Sequence, residues 1–196
     1  GGHTQIVIVK KYFEMELIGT TLDDAIGEAF DKCGKQLGLN YPAGEQIDKL
    51  AQNGDPLRFD FPITKLKNYD VSYSGIKTAF TNFLKKQKDS TFITKNLNDL
   101  CASLQYSLVQ IILNKIQKAA KDYNIKQVVI GGGVAANSEI RIQLKNKAKS
   151  EGWEVFLPPQ HLTTDNAAMI GIASYFKIQK NKYGNISDSS MSRLKI

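Results

Sequence analysis

Alternating apolar and polar positions open the chain: residues 5–11 (QIVIVKK) and 12–18 (YFEMELI) read as two strands of an antiparallel hairpin. The period then lengthens. Thr21 and Asp24 form a T-x-x-D start ahead of a helical pattern over 25–37, which Gly38 stops. Tyr41-Pro42-Ala43-Gly44 makes a turn, and 45–53 is a second helix ended by Asn53-Gly54-Asp55-Pro56. With Pro62 and mixed polarity, 57–73 reads as an extended or looped excursion. Ser74 can cap a helix over 75–86, and the polar run 85–90 follows as a solvated loop. Leu100, Leu104, Leu108, Ile111, Ile112 and Ala119 recur at three- and four-residue spacing. They predict one amphipathic helix over 98–123, long enough to cross the domain, with its apolar stripe in the core. Val128-Val129-Ile130 is an unbroken β-branched run, as expected of a strand buried on both faces. It stops at Gly131-Gly132-Gly133 and restarts as a helix capped by Asn137 or Ser138. Gly152 precedes a strand over 153–157 that ends at Pro158-Pro159, and a last helix runs over 165–179. Beyond Asn181 the polar chain is expected to fray.

Strands and helices alternate after the hairpin with no internal repeat, which points to an α/β architecture. A chain of 196 residues makes about one to one and a half domains and can bury a sizeable core. Its 42% hydrophobic and 23% charged residues are ordinary for a soluble globular protein. No apolar run approaches the roughly 18 residues of a membrane span, and no secretory signal is visible. Cys33 and Cys101 lack a metal-type spacing and fall within apolar helical stripes, so buried free thiols and a cytoplasmic address are expected. The net charge of +7 invites a nucleic-acid partner. Against that, only Arg58, Arg141 and Arg193 are arginine, the usual residue for bidentate phosphate recognition.

The glycine triplet is the strongest chemical signal. Gly131, Gly132 and Gly133 remove every side chain where the backbone turns, so a flat or charged ligand can approach the main chain. The following helix would offer free N–H groups and a positive dipole end to an anion. A tight turn without a ligand stays open as the other reading. Asp165 lies near a helix N-terminus, where it either caps or contributes one ligand to a metal whose remaining ligands come from elsewhere. His3 and His161 are the only histidines and form no H-x-x-x-H pair. Asp24, Glu28 and Asp31 crowd one side of the first helix and need lysines, a cation or ribose hydroxyls to relieve them, or else simple solvation. Gly44 and Asp48 lie one turn apart, where a carboxylate could accept hydrogen bonds from sugar hydroxyls. Serine hydrolysis is unsupported without G-x-S-x-G and a base, and neither cysteine suits a nucleophile.

GGHT at 1–4, DDAIGEAFDK at 23–32, LGLNYPAG at 37–44, SYSGIKTAF at 72–80, GGGVAAN at 131–137 and TDNAAMIG at 164–171 stand in one order. In these motifs the chain resembles the TsaD family, the tRNA adenosine threonylcarbamoyltransferases once called O-sialoglycoprotein endopeptidases, over residues 1 to about 177. The resemblance implies an actin-like, sugar-kinase-like ATPase fold of two RNase H-like lobes clamping a nucleotide. It implies transfer of threonylcarbamoyl from threonylcarbamoyl-adenylate to the tRNA adenosine beside the anticodon. Gly1 and Gly2 match the end of a substrate-phosphate loop, and Asp31, Gly44 and Asp48 match adenylate or ribose contacts. Gly132, Gly133 and Asn137 match the nucleotide seat, and Asp165 matches a carboxylate ligand of Fe2+ or Zn2+. The implied partners are tRNA and TsaB-like and TsaE-like proteins. The paired histidines that complete the family's metal site lie ahead of GGHT and are not in this sequence. The chain therefore reads as a fragment, with 1–164 the nucleotide-clamping second lobe and 165–196 a helix and tail that pack on the first. Such a fragment is expected to be inactive, to bind no metal tightly, and to self-associate through exposed apolar surface. A metal-dependent glycoprotease and a non-catalytic nucleotide-binding subunit are the competing readings.

Overall fold

A β-hairpin, a layer of helices and a short parallel strand pair make up residues 2–190, the part that the computed structural model describes. The hairpin joins β1 (Gln5–Lys11) to β2 (Glu14–Thr20). The second strand starts later than the pattern predicts because Tyr12 and Phe13 form the turn, with Phe13 at φ 62°. Helices α1 (Ile26–Gln36), α2 (Gly44–Ala51) and α3 (Ser74–Lys85) follow, each within two residues of its predicted bounds. A short α4 (Phe92–Lys95), which the sequence pattern does not predict, precedes α5 (Leu97–Asp122). The chain then passes through β3 (Gln127–Val129), a 3-10 turn at Gly133–Ala136, α6 (Ser138–Glu151), β4 (Glu154–Phe156) and α7 (Ala167–Gln179).

Helix α5 is the centre of the molecule. Its leucine and isoleucine stripe is buried, and α1, α2, α3 and α6 all pack on it. It also holds the irregular segments by polar side chains. Lys115 donates to the carbonyls of Leu66 and Asn68 at 2.6 and 2.8 Å, and burial lowers its pKa. Ser103 donates to the Asp55 carbonyl and accepts from the Phe59 N–H, both at 3.1 Å. Phe59 and Phe61 meanwhile pack among Phe80, Phe83 and Phe92, so the excursion 57–73 is anchored without regular structure. At its end Val71 bridges to Thr21 and ties the excursion to the hairpin.

Two local readings are corrected. The β3 strand is not buried on both faces: it has one partner, parallel β4, and Val129 is 70% exposed. Nor does Asp165 cap the last helix, which begins two residues further on. Asn166 is the cap of α7, its side chain accepting from the Met169 N–H at 3.1 Å. Helix α7 is apolar yet none of its residues is buried; Met169, Ile170, Ile172, Tyr175 and Ile178 are all exposed. It touches the hairpin tip, where Phe176 stacks on Tyr12 and Lys180 donates to the Tyr12 carbonyl at 3.0 Å. No helix among the described residues is long and apolar enough to cross a membrane.

Helix starts are served from a distance. The Thr21 hydroxyl closes a turn onto the Asp24 carbonyl, while Thr4 accepts from the Ile26 N–H at the head of α1. Helix α3 has no side-chain cap from Tyr73, the residue before it. Instead Asp23 accepts from the N–H groups of Tyr73 and Ser74 at 2.8 and 3.2 Å and from both serine hydroxyls, Ser72 and Ser74. Burial pushes the Asp23 carboxyl up, but these hydrogen bonds outweigh it and hold the pKa below the ordinary 3.8. A depressed folded-state pKa means that this stability is complete above 3.8 and is lost as the pH falls through the folded value. Thermal stability measured along an acid titration is therefore expected to drop below that point. Asp23→Asn should flatten part of the drop and cost about 1–2 kcal/mol at neutral pH, the range for a lost cap; an unchanged acid slope would refute this role.

Candidate functional site

Three carboxylates at the start and along the length of α1, Asp24 just ahead of it and Glu28 and Asp31 within it, are each provided for. Asp24 pairs with Lys32 and Lys77; burial alone would raise its pKa, but the two lysines together lower it. Glu28 accepts from the Ala25 N–H at 2.9 Å. Asp31 accepts from the Ala43 N–H at 2.7 Å, immediately ahead of Gly44 and α2. Gly34, one turn along α1, is what allows this closeness: a Cβ there would overlap the Cβ of Ala43.

From Gly44 the path continues one turn up α2 to half-buried Asp48. Its carboxylate accepts from Ser138 twice, through the N–H at 3.1 Å and the hydroxyl at 2.7 Å, and from Asn137 Nδ2 at 3.2 Å. Asn137 in turn accepts from the Ile140 N–H at 3.1 Å as the cap of α6. Asp31, Gly44, Asp48 and Asn137 thus lie on one connected seam between α1, α2 and the start of α6.

The glycine turn sits beside this seam. Gly132 has φ 86° and ψ 168°, a conformation essentially reserved for glycine. At Gly131 and Gly132 nothing lies within 4 Å of where a Cβ would stand, and at Gly133 the nearest atom is the Thr164 methyl at 4.0 Å. The turn is therefore open, with bare main chain facing solvent, and the loop carrying Thr164 and exposed Asp165 adjoins it. Arg141 joins the two, donating to the carbonyls of Ala135 and Pro158, both at 2.6 Å.

One expectation needs correction. The helix after the glycines does not present a free N-terminus, because the 3-10 turn Gly133–Ala136 intervenes and the N–H groups of Ser138 and Ile140 are already taken by Asp48 and Asn137. The exposed backbone belongs to the glycine turn itself. Gly2 is exposed, two residues before the Thr4 that serves α1, and Gly1 lies outside the described residues. Both thiols, Cys33 and Cys101, are buried, and burial pushes each up to about 12, which leaves them inert. A groove of about 430 Å³ between α6 and β4, lined by Ile142, Lys145 and Val155 among others, holds none of the candidate residues.

Sequence reasoning missed Gln105 and Arg141, and placed Asp23 in the acidic cluster of the first helix without its role at the start of α3. Gln105 alone left a signal, as an amide inside the apolar stripe of α5; it is 4% exposed and its Oε1 accepts from Asn137 Nδ2 at 2.7 Å.

Comparison with known proteins bears on the family and the fold. A family model described as TsaD, tRNA N6-adenosine threonylcarbamoyltransferase, matches residues 1–172. Curated relatives bearing that name include one from Christiangramia forsetii, 52% identical over the whole chain, and one from Riemerella anatipestifer, 46% identical over the whole chain. The chain spans 58% of the length of each. Among solved structures, full-length HypF in its phosphate- and nucleotide-bound form is similar at 15% identity and a TM-score of 0.60, covering 88% of this chain and 26% of that one. The likeness shows a shared ATPase-like fold of mixed α/β type.

Proposed function

Because the chain belongs to the TsaD family of tRNA N6-adenosine threonylcarbamoyltransferases, we propose that it forms the nucleotide-holding part of an enzyme of that activity. The whole enzyme transfers threonylcarbamoyl from threonylcarbamoyl-adenylate to the adenosine beside the anticodon of tRNA. The adenosine amine attacks the carbamoyl carbonyl, the bond from that carbon to the phosphate oxygen breaks, and AMP leaves as the amine gives up a proton. The observation that carries this reading is the open main chain at Gly131 and Gly132, where nothing lies within 4 Å of the place a Cβ would take; backbone N–H groups of such a turn can meet phosphate or carbonyl oxygens. In this reading Gly1 and Gly2 close the phosphate loop, Asp31, Gly44 and Asp48 border the adenosine, and Gly132, Gly133 and Asn137 form its floor.

Residues 1–164 are the second, RNase H-like lobe of an actin-like, sugar-kinase-like ATPase, and 165–196 reach toward the other lobe. The exposed apolar side chains of α7 support that division. tRNA and TsaB-like and TsaE-like proteins are the partners of the whole enzyme, in the cytoplasm. The family implies Fe2+ or Zn2+, but the residues here do not make up a metal site: among the described residues no three His, Cys, Asp or Glu gather. Asp165 would be one ligand among others supplied from elsewhere, and no step is assigned to the metal.

Calorimetric titration of the chain with ADP tests the seat. Binding is expected for the wild type and at least about tenfold weaker binding for Gly132→Val, because a β-branched residue cannot adopt φ 86° without strain. If both bind alike, or neither binds, the seat is misassigned.

A further inference from the structure

We propose that Gln105 is a positioning residue for the nucleotide seat, acting from the core helix α5 through Asn137 on the turn that presents the bare glycines. The inference deepens the reading above and rests on it for its functional consequence. Asn137 is 8% exposed and its side chain is fully engaged within the protein: Nδ2 donates to Gln105 at 2.7 Å and to Asp48 at 3.2 Å, and Oδ1 accepts from Ile140. Of the two acceptors, Gln105 makes the shorter bond and stands on the more rigid support, a helix turn whose neighbours Leu104 and Leu108 are wholly buried. An amide held at three points has one orientation. Its backbone then fixes the end of the Gly133–Ala136 turn, where the Asn137 N–H donates to the Val134 carbonyl at 3.0 Å and the Ala135 N–H to the Gly132 carbonyl at 2.9 Å. The last bond ends on the positive-φ glycine itself. Asn137 therefore works as a buckle between core and loop, and Gln105 sets where the buckle closes.

The test combines amide hydrogen exchange with ADP titration on the whole chain. In Gln105→Met, which keeps the length and removes the acceptor, exchange at the Ala135 and Asn137 amides should quicken about tenfold, the worth of one net hydrogen bond. Exchange at Leu113 in the same helix should stay within about twofold, and the ADP Kd should rise about tenfold. Gln105→Glu retains an oxygen acceptor at the same reach and should restore both readouts to within about threefold of wild type, an effect of orientation rather than bulk. Equal acceleration at Leu113 and in the turn, failure of the glutamate to restore, or an unchanged Kd with a loosened turn would each overturn the proposal. If the wild type binds no ADP, the nucleotide seat fails instead, and the exchange data alone decide whether Gln105 governs the turn.

Discussion

Gly34→Ala is expected to destabilise the chain by about 2–3 kcal/mol, although alanine is the better helix former by up to about 1 kcal/mol. The added methyl would overlap the Cβ of Ala43 and press on Ile47, whose Cδ1 lies 3.3 Å from it. Ala43 cannot yield by rotating, since its Cβ is fixed to backbone at the head of α2, so α1 and α2 must separate. Separation pulls the Ala43 N–H from Asp31. Urea unfolding should show a lower midpoint at unchanged slope, and amide exchange at Ala43 should rise more than at Leu113. A midpoint equal to or above wild type would mean that the helices are not in the contact described.

Asp48→Ala is expected to cost about 3 kcal/mol, combining a lost cap with donors left unmatched in a half-buried place. Ser138 loses the acceptor for its N–H and its hydroxyl, and Asn137 loses one of two. Because the turn before α6 is held through the same residues, ADP affinity should fall together with stability. Asp48→Asn, with one oxygen kept, should lose less than half as much. Calorimetric melting and ADP titration of both variants separate this from a purely ligand-facing carboxylate, for which affinity would fall while the melting temperature held.

Periodicity made the helices legible: the Leu100–Leu104–Leu108 spacing located α5 to within a residue at each end, because one face of that helix meets only core. The glycine triplet likewise announced an open turn. What spacing could not reveal was the partners of helix starts. Asp48 serves Ser138 across 90 residues, and Asp23 serves Tyr73 across 50. A capping pattern read within four residues is blind to both, which is why Asp24 and Ser74 looked like local signals. The inserted turn Gly133–Ala136 was hidden for a related reason: Val134 and Ala135 fit a helix as readily as a 3-10 turn, and the choice falls to Asn137, fastened from outside. The strand Val128–Val129 was misjudged because β-branched residues suit a pleated surface whether or not something covers it.

Much of this chain is neither helix nor strand, and such backbone ordinarily peels away first on warming. Here Lys115, Ser103 and Gln105 moor two separate stretches to the same rod at three places, the excursion at two and the glycine turn at the third. The irregular parts are rigging on one mast: slackening α5 would release the binding floor and the aromatic excursion together.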